Sequence, residues 1–183
     1  MEKKQLPKLS DLHSDIQVAF KNDEFKLLCN QPPHASWVKR NKYANNAEYL
    51  PIDKVEFLLD RIFQLWKVEV LDYKVIYNTL TVSIRLHYLH PVTNEWFFHD
   101  GVGGAEIQTK KDSGQLKPDF SNINTGAIEM ALPIAKSTAI KDAADHIGKI
   151  FGRDLNRKDT INFVGAYHQN PEPTTNSTED FTL

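Results

Sequence analysis

The stretch from Trp66 to Gly104 limits the fold more than any other part of this chain. Apolar and polar residues alternate there with a period of two, the pattern of strands that bury one face. Trp66, Val68 and Val70 alternate with Lys67 and Glu69; the phase slips at Leu71-Asp72 and resumes with Tyr73, Val75 and Tyr77. A slip of one residue inside a strand predicts a bulge. Leu80, Val82, Ile84, Leu86 and Tyr88 then alternate with Thr81, Ser83, Arg85 and His87. Pro91-Val92-Thr93-Asn94 reads as a hairpin turn, and Trp96-Phe97-Phe98 opens a third strand that Gly101-Val102-Gly103-Gly104 closes as a flexible end. The product is a three-stranded antiparallel meander with one apolar face.

That face must be buried, and helical patterns flank it on both sides. Before it, Asp53 reads as an N-cap with Glu56 three residues on, the capping-box spacing; Val55, Leu58, Leu59 and Ile62 form the apolar stripe, and the helix is expected to end near Gln64. After it, a long helix is expected to start near Pro133, which the first turn tolerates. Ala139, Ile140, Ala143, Ile147, Ile150 and Phe151 share one face of it, Ser137, Lys141, Asp145 and Lys149 the other, and Gly152 reads as its C-terminal cap. Gly148 reads as a point of close backbone approach. Further upstream, Ser10 is expected to cap a short helix through Phe20, and Asp23 a second one through Cys29, which Gln31-Pro32-Pro33 ends. Residues 31–50 and 105–126 read as loops. The predicted class is α+β: a β-β-β-α core covered by a preceding helix and a long following helix, with N-terminal helices and a disordered acidic C-terminal tail. We divide it as residues 1–35, an N-terminal helical extension; 36–164, the core; and 165–183, a flexible Pro/Thr/Asn-rich tail.

The chain has 183 residues, enough for a core without staples. Cys29 is the single cysteine, so no intramolecular disulfide and no cysteine-based zinc site can form, and a reducing, intracellular setting is expected. It reads as a small buried apolar residue. The N-terminus lacks the apolar region of a signal peptide, and no apolar run reaches the roughly 20 residues of a membrane helix. The net charge of −2 excludes a globally basic protein. The charge is uneven, though: residues 159–183 carry acids and no Lys or Arg, so an acidic tail follows a mildly basic body.

Most catalytic patterns fail on spacing. Gly101-Val102-Gly103-Gly104 lacks the Gly-Lys-Ser/Thr ending of a phosphate-binding loop. His87 and His99 could approach across a hairpin, with His90 near, but a metal site needs at least three converging ligands. Glu69, Asp72, Lys74 and Asp100 carry the residue types of a metal-dependent nuclease without the usual Glu-x-Lys spacing. What remains is a set of cations and rings. Trp37, Lys39, Arg40, Lys42 and Tyr43 lie in the first loop, Lys54 at a helix start and Arg85 on the polar strand face. Lys110, Lys111 and Lys117 lie in the second loop, and Lys141 and Lys149 on the last helix. Cations that track phosphates and rings that stack bases are what single-stranded DNA binding requires.

The segment AIKDAADHIGKIFGRDLNRKD, residues 139–159, resembles the signature helix of single-strand annealing proteins, the phage Sak-type recombinases and their eukaryotic relative, Rad-fifty-two. Its matching features are Ile140-Lys141, Ala143-Ala144, and Gly148 with Gly152. LPIDKVEFLLDRIFQLW, residues 50–66, resembles the family's first helix leading into a tryptophan-marked strand, and HDGVGG, residues 99–104, the end of its third strand. The resemblance covers roughly residues 36–158. It implies an ATP-independent protein, without covalent catalysis or a cofactor, that binds and anneals single-stranded DNA in recombination and repair. It also implies assembly into a homo-oligomeric ring or helical filament, and a phage-encoded chain working in the cytoplasm of a bacterial host. Lys54 and Lys141 fall where the family carries DNA-contacting basic residues. Asp142 and Asp145 depart from the family, the first replacing a second basic residue. The rival expectations are a metal-dependent nuclease, a nucleic-acid-binding accessory protein that does not anneal, and a self-assembling structural protein. The tip Glu179-Asp180-Phe181-Thr182-Leu183 reads as a frayed end or as an acidic handle for a protein partner or against the DNA groove.

Overall fold

A computed structural model describes residues 15–42, 44–110 and 120–161. The elements run α1 (Ile16–Cys29), a short hairpin β1 (Lys39–Asn41) and β2 (Ala47–Tyr49), α2 (Ile52–Ile62), β3 (Trp66–Ile76), β4 (Thr79–Leu89), β5 (Trp96–Glu106) and α3 (Ala127–Asp145). The three long strands form one antiparallel sheet in the order β3-β4-β5, and the class is α+β as expected. The bulge falls where the phase slips: pairing runs Val70↔Ile84 and then Asp72↔Ser83, leaving Leu71 unopposed.

The core follows from the alternation. Leu80, Val82, Ile84 and Leu86 on β4 are at most 2% exposed, and they meet Val55, Leu58 and Leu59 of α2 and the inner face of α3. That inner face is an alanine ridge, Ala127, Ala131, Ala135, Ala139 and Ala143, spaced one turn apart and buried throughout. Opposite it, Gly101 and Gly103 do not close a strand end; they sit inside β5, which continues to Glu106. A Cβ on Gly103 would lie 2.2 Å from the Ala135 carbonyl oxygen, and one on Gly101 2.3 Å from that of Ala139. Small residues on both partners thus let the helix backbone rest directly on the strand.

Several local expectations give way to this packing. α3 starts at Ala127, not near Pro133, and carries Pro133 in its interior. Its N-cap is Gly126 in the left-handed region, φ 77°. The helix also stops earlier than its pattern suggests. It ends at Asp145, and Ile147, Ile150 and Phe151 reach the core from a following turn and a 3₁₀ segment, Lys149–Phe151, which Gly152 terminates at φ 110°. Gly148 presses on the end of α1, where a Cβ would stand 2.2 Å from the Cys29 carbonyl oxygen. The close approach read from that glycine is therefore real, and Cys29 is buried beside it at 1% exposure. α1 is one continuous helix through Asp23, not two. Asp15 caps it by accepting hydrogen bonds from the N–H groups of Gln17 and Val18, while Ser10 lies outside the described residues. At α2 the N-cap is Pro51, without a side-chain bond; Asp53 lies in the first turn and pairs with Lys54 at 3.2 Å, and the helix ends at Ile62. Residues 31–50 are not all loop: Asn45 and Asn46, with φ 52° and 57°, turn the chain into the β1–β2 hairpin. Asparagine tolerates that region better than most residues. The C-terminal tail lies outside the described residues.

Candidate nucleic-acid interface

The β1–β2 hairpin, the 3₁₀ turn Ala35–Trp37, the start of α2 and the C-terminal part of α3 meet in a band of alternating rings and cations. Lys54 Nζ sits 5.6 Å from the centre of the Trp37 ring, which packs edge-on against Phe57 at 5.7 Å. Lys54 also holds the Asp53 carboxyl below its ordinary pKa, mainly by hydrogen bonding, and Lys39 adds to that pull. Lys39 is paired across the hairpin with Tyr49. Lys141 of α3 closes the band, its Nζ 5.3 Å from the centre of the Tyr49 ring. Trp37, Lys39, Lys54 and Lys141 are therefore brought together from four segments of the chain.

Beyond Lys141 the band opens into a groove of about 400 Å³ between β2, α3 and the segment after Gly152. Its charges are mixed. Lys141, Arg153 and Arg157 face Glu48, Asp142 and Asp145. The Asp142 carboxylate accepts a hydrogen bond from the Val102 N–H at 2.9 Å, which ties α3 to the outer edge of β5. Asp145 is pushed up to about 6, first by burial and then by Asp142, with Arg153, Lys141 and Arg157 pulling the other way. Burial lowers the Lys141 ammonium, against Asp145. Arg153 donates from Nε to the Asp145 carbonyl at 2.7 Å and from Nη2 to the His146 carbonyl. A cation on the last carbonyls of a helix is favourable.

The other candidates lie elsewhere or are engaged. Arg40 is paired with Glu48 at 3.0 Å on the exposed hairpin, and Lys42 is exposed at its tip. Lys149 is held between Asp154, at 3.1 Å, and the Ile161 carbonyl. Lys110 bonds the Ser121 carbonyl at 3.0 Å. Arg85 is on the outer face of the sheet, gripping Asp100 at 2.6 and 2.9 Å. Tyr43, Lys111 and Lys117 lie outside the described residues. On that same outer face Glu69 bonds His87, Asp72 pairs with Lys74, and Asp100 takes Arg85, so the four nuclease-type residues are engaged in separate pairs. His99 points to the opposite face from His87, bonding the Tyr88 hydroxyl at 3.1 Å. Among the described residues no group of three or more His, Cys, Asp or Glu is placed to hold a metal ion, and no helix is long and apolar enough to cross a membrane.

Sequence reasoning missed Tyr49, Arg153, Arg157 and Asn156. Asn156 locks the hairpin down, accepting from the Glu48 N–H and donating to the Glu48 carbonyl, each at 2.8 Å. The paired asparagines at 45 and 46 were the available signal, since recognising that turn puts Tyr49 opposite Lys39. Compared with known proteins, the chain matches no family model and no curated sequence.

Proposed function

We propose that this protein binds single-stranded DNA without ATP, assembles into a homo-oligomer and anneals complementary strands in homologous recombination and repair. The observation that carries the reading is the band of Trp37, Lys54, Lys39, Tyr49 and Lys141, in which each ring stands beside a cation. Cations there neutralise phosphates while the exposed Tyr49 ring and the half-buried Trp37 ring stack bases, and base pairing with a second strand supplies the driving free energy. The likeness of residues 139–159 to the annealing-protein signature supports the same reading. Two surfaces support self-assembly. The inner face of β3 beyond the bulge has Tyr73 68% exposed, and the outer side of α3 has Met130 61% exposed. Apolar area of this kind on a small protein marks an association surface.

Strand pairing between two complementary oligonucleotides, with and without Mg²⁺, tests the proposal: pairing without shortening of either strand is the expected result. Binding is expected to weaken as salt rises, because phosphate contacts release counterions. Lys54→Ala and Lys141→Ala are each expected to weaken binding across all sequences and to reduce the salt slope by about one. Unaltered binding and pairing by both variants across a salt series would overturn the assignment. The acids beside Lys141 favour a second reading, a binder that does not anneal, because Asp142 and Asp145 thin the positive charge along α3. Binding without pairing would select it.

A further inference from the structure

We propose that the open outer face of the β3-β4-β5 sheet is a second nucleic-acid site, on which Trp96 and Phe98 stack the bases of an unpaired strand. This rests on the reading of the protein as a single-strand binder and extends it to a face remote from the Lys54–Lys141 band. Trp96 and Phe98 alternate on β5 and so project to the same side, about 7 Å apart along the strand. Each is 52% exposed. The strand register places them opposite Leu89 and His87, on the side away from both helices. Each ring carries a cation: Lys67 Nζ is 5.9 Å from the Trp96 ring centre, and the Arg85 guanidinium carbon 4.1 Å from that of Phe98. Towards the far end the same face carries Thr81 and Ser83 of β4 and Gly104 of β5, with Val102 between them 58% exposed.

The occupant follows from the charge pattern. Lys74 with Asp72 and Arg85 with Asp100 neutralise one another within the face, and His87 hydrogen-bonds Glu69. A polyanionic backbone alone has little to gain there. Planar bases do, because each offers a π-face to an exposed ring whose cation partner polarises it. The sheet face thereby adds stacking rings to those of the band, while the band supplies most of the phosphate contact.

The test compares an oligodeoxythymidylate with an abasic oligomer of equal length, using the full chain and its Trp96→Ala/Phe98→Ala variant. The parent is expected to bind the base-bearing oligomer at least tenfold more tightly, and the variant is expected to lose the share of that preference that Trp37 and Tyr49 do not supply, a drop of severalfold, while keeping its affinity for the abasic strand. A Trp96→Leu/Phe98→Leu variant keeps apolar area on the strand, and it is expected to behave as the alanine variant does. Irradiating a complex with a 5-iodouracil oligomer is expected to crosslink the peptide containing Trp96 and Phe98. An undiminished preference in both folded variants, with no crosslink on β5, overturns the second site and leaves the band untouched. Failure of the parent to bind either oligomer overturns the underlying function as well.

Discussion

Single residues set two energies in this molecule. At Gly103 an added methyl group meets the Ala135 carbonyl and the Ala139 nitrogen at 2.2 and 2.3 Å, both backbone atoms that cannot swing aside. Gly103→Ala must therefore push α3 off the sheet, and it is expected to lower stability by about 2 kcal/mol or more, beyond the usual overpacking range at worst. At Gly104 the nearest obstacle is the Thr79 methyl group at 3.2 Å, so Gly104→Ala is the milder partner. Urea titrations of the two variants check the order; equal midpoints would refute it. Asp145 works in the opposite direction. Its folded pKa, about 6, lies above that of an unfolded aspartate, 3.8. The folded state therefore binds the proton more readily, and the ionised carboxylate lowers stability at every pH above about 6. That penalty fades as pH falls through 6 and is gone below about 4. Asp145→Asn is expected to stabilise the protein by about 1 kcal/mol at pH 7.5, a figure reduced for partial exposure, and to do little at pH 4. A gain of the same size at both values would rule out the carboxylate as its cause.

At the scale of elements, the sheet was legible and its covering helix was not wholly so. Period-two alternation survives in β4 because each inward residue there is buried between the strand and a helix, and the bulge at Leu71 shows as a phase slip because side chains alternate without exception. The glycines of β5 were visible too, but a glycine does not announce what approaches it. Its partners, Ala135, Ala139 and Ala143, stand more than thirty residues away in sequence and look like ordinary helix formers. Pro133 misled for a related reason. Proline is read as a helix start, yet here Gly126 and the alanine ridge extend the helix upstream, and packing against β5 overrides the lost hydrogen bond to Glu129. The band of rings and cations was legible in residue type only: Trp37, Lys39 and Lys54 are close in sequence, while Lys141 and Tyr49 meet through tertiary structure. Pro133 gives this scale its prediction. An interior proline costs a helix about 3 kcal/mol, and replacing it frees the unfolded chain by up to about 1 kcal/mol. Pro133→Ala is therefore expected to stabilise the protein by a net of roughly 1–2 kcal/mol and so to raise the urea midpoint. A lower midpoint would mean that α3 is kinked at Pro133 for the sake of its fit on the sheet.

For the whole molecule the question is why so much apolar surface remains at one end. α3 lies across β4 and β5, and the far half of β3 extends past its cover. On the inner face of that half, Val70, Tyr73 and Val75 are 48, 68 and 47% exposed, and Tyr77 at the turn is 80% exposed. The outer side of α3 adds Ile128, Met130, Leu132 and Ile134, each at least 44% exposed. β3 is also an edge strand, with backbone groups on one side open to pairing; Asp72 and Lys74 are the charges in its far half, and Val75 and Ile76 end it with neither charge nor proline. Under the proposed self-assembly, two distinct apolar patches of this kind favour a head-to-tail contact, the inner face of β3 in one copy against α3 in the next. Such heterologous contacts build rings or filaments rather than closed pairs. Tyr73→Asp and Met130→Asp each place a charge in that contact while touching nothing buried. Each is expected to shift sedimentation towards smaller species at a fixed concentration and to leave the thermal midpoint of the dissociated chain within a degree or two. If the parent sediments as a single subunit at every concentration, or if both variants assemble as the parent does, these faces are not where copies meet.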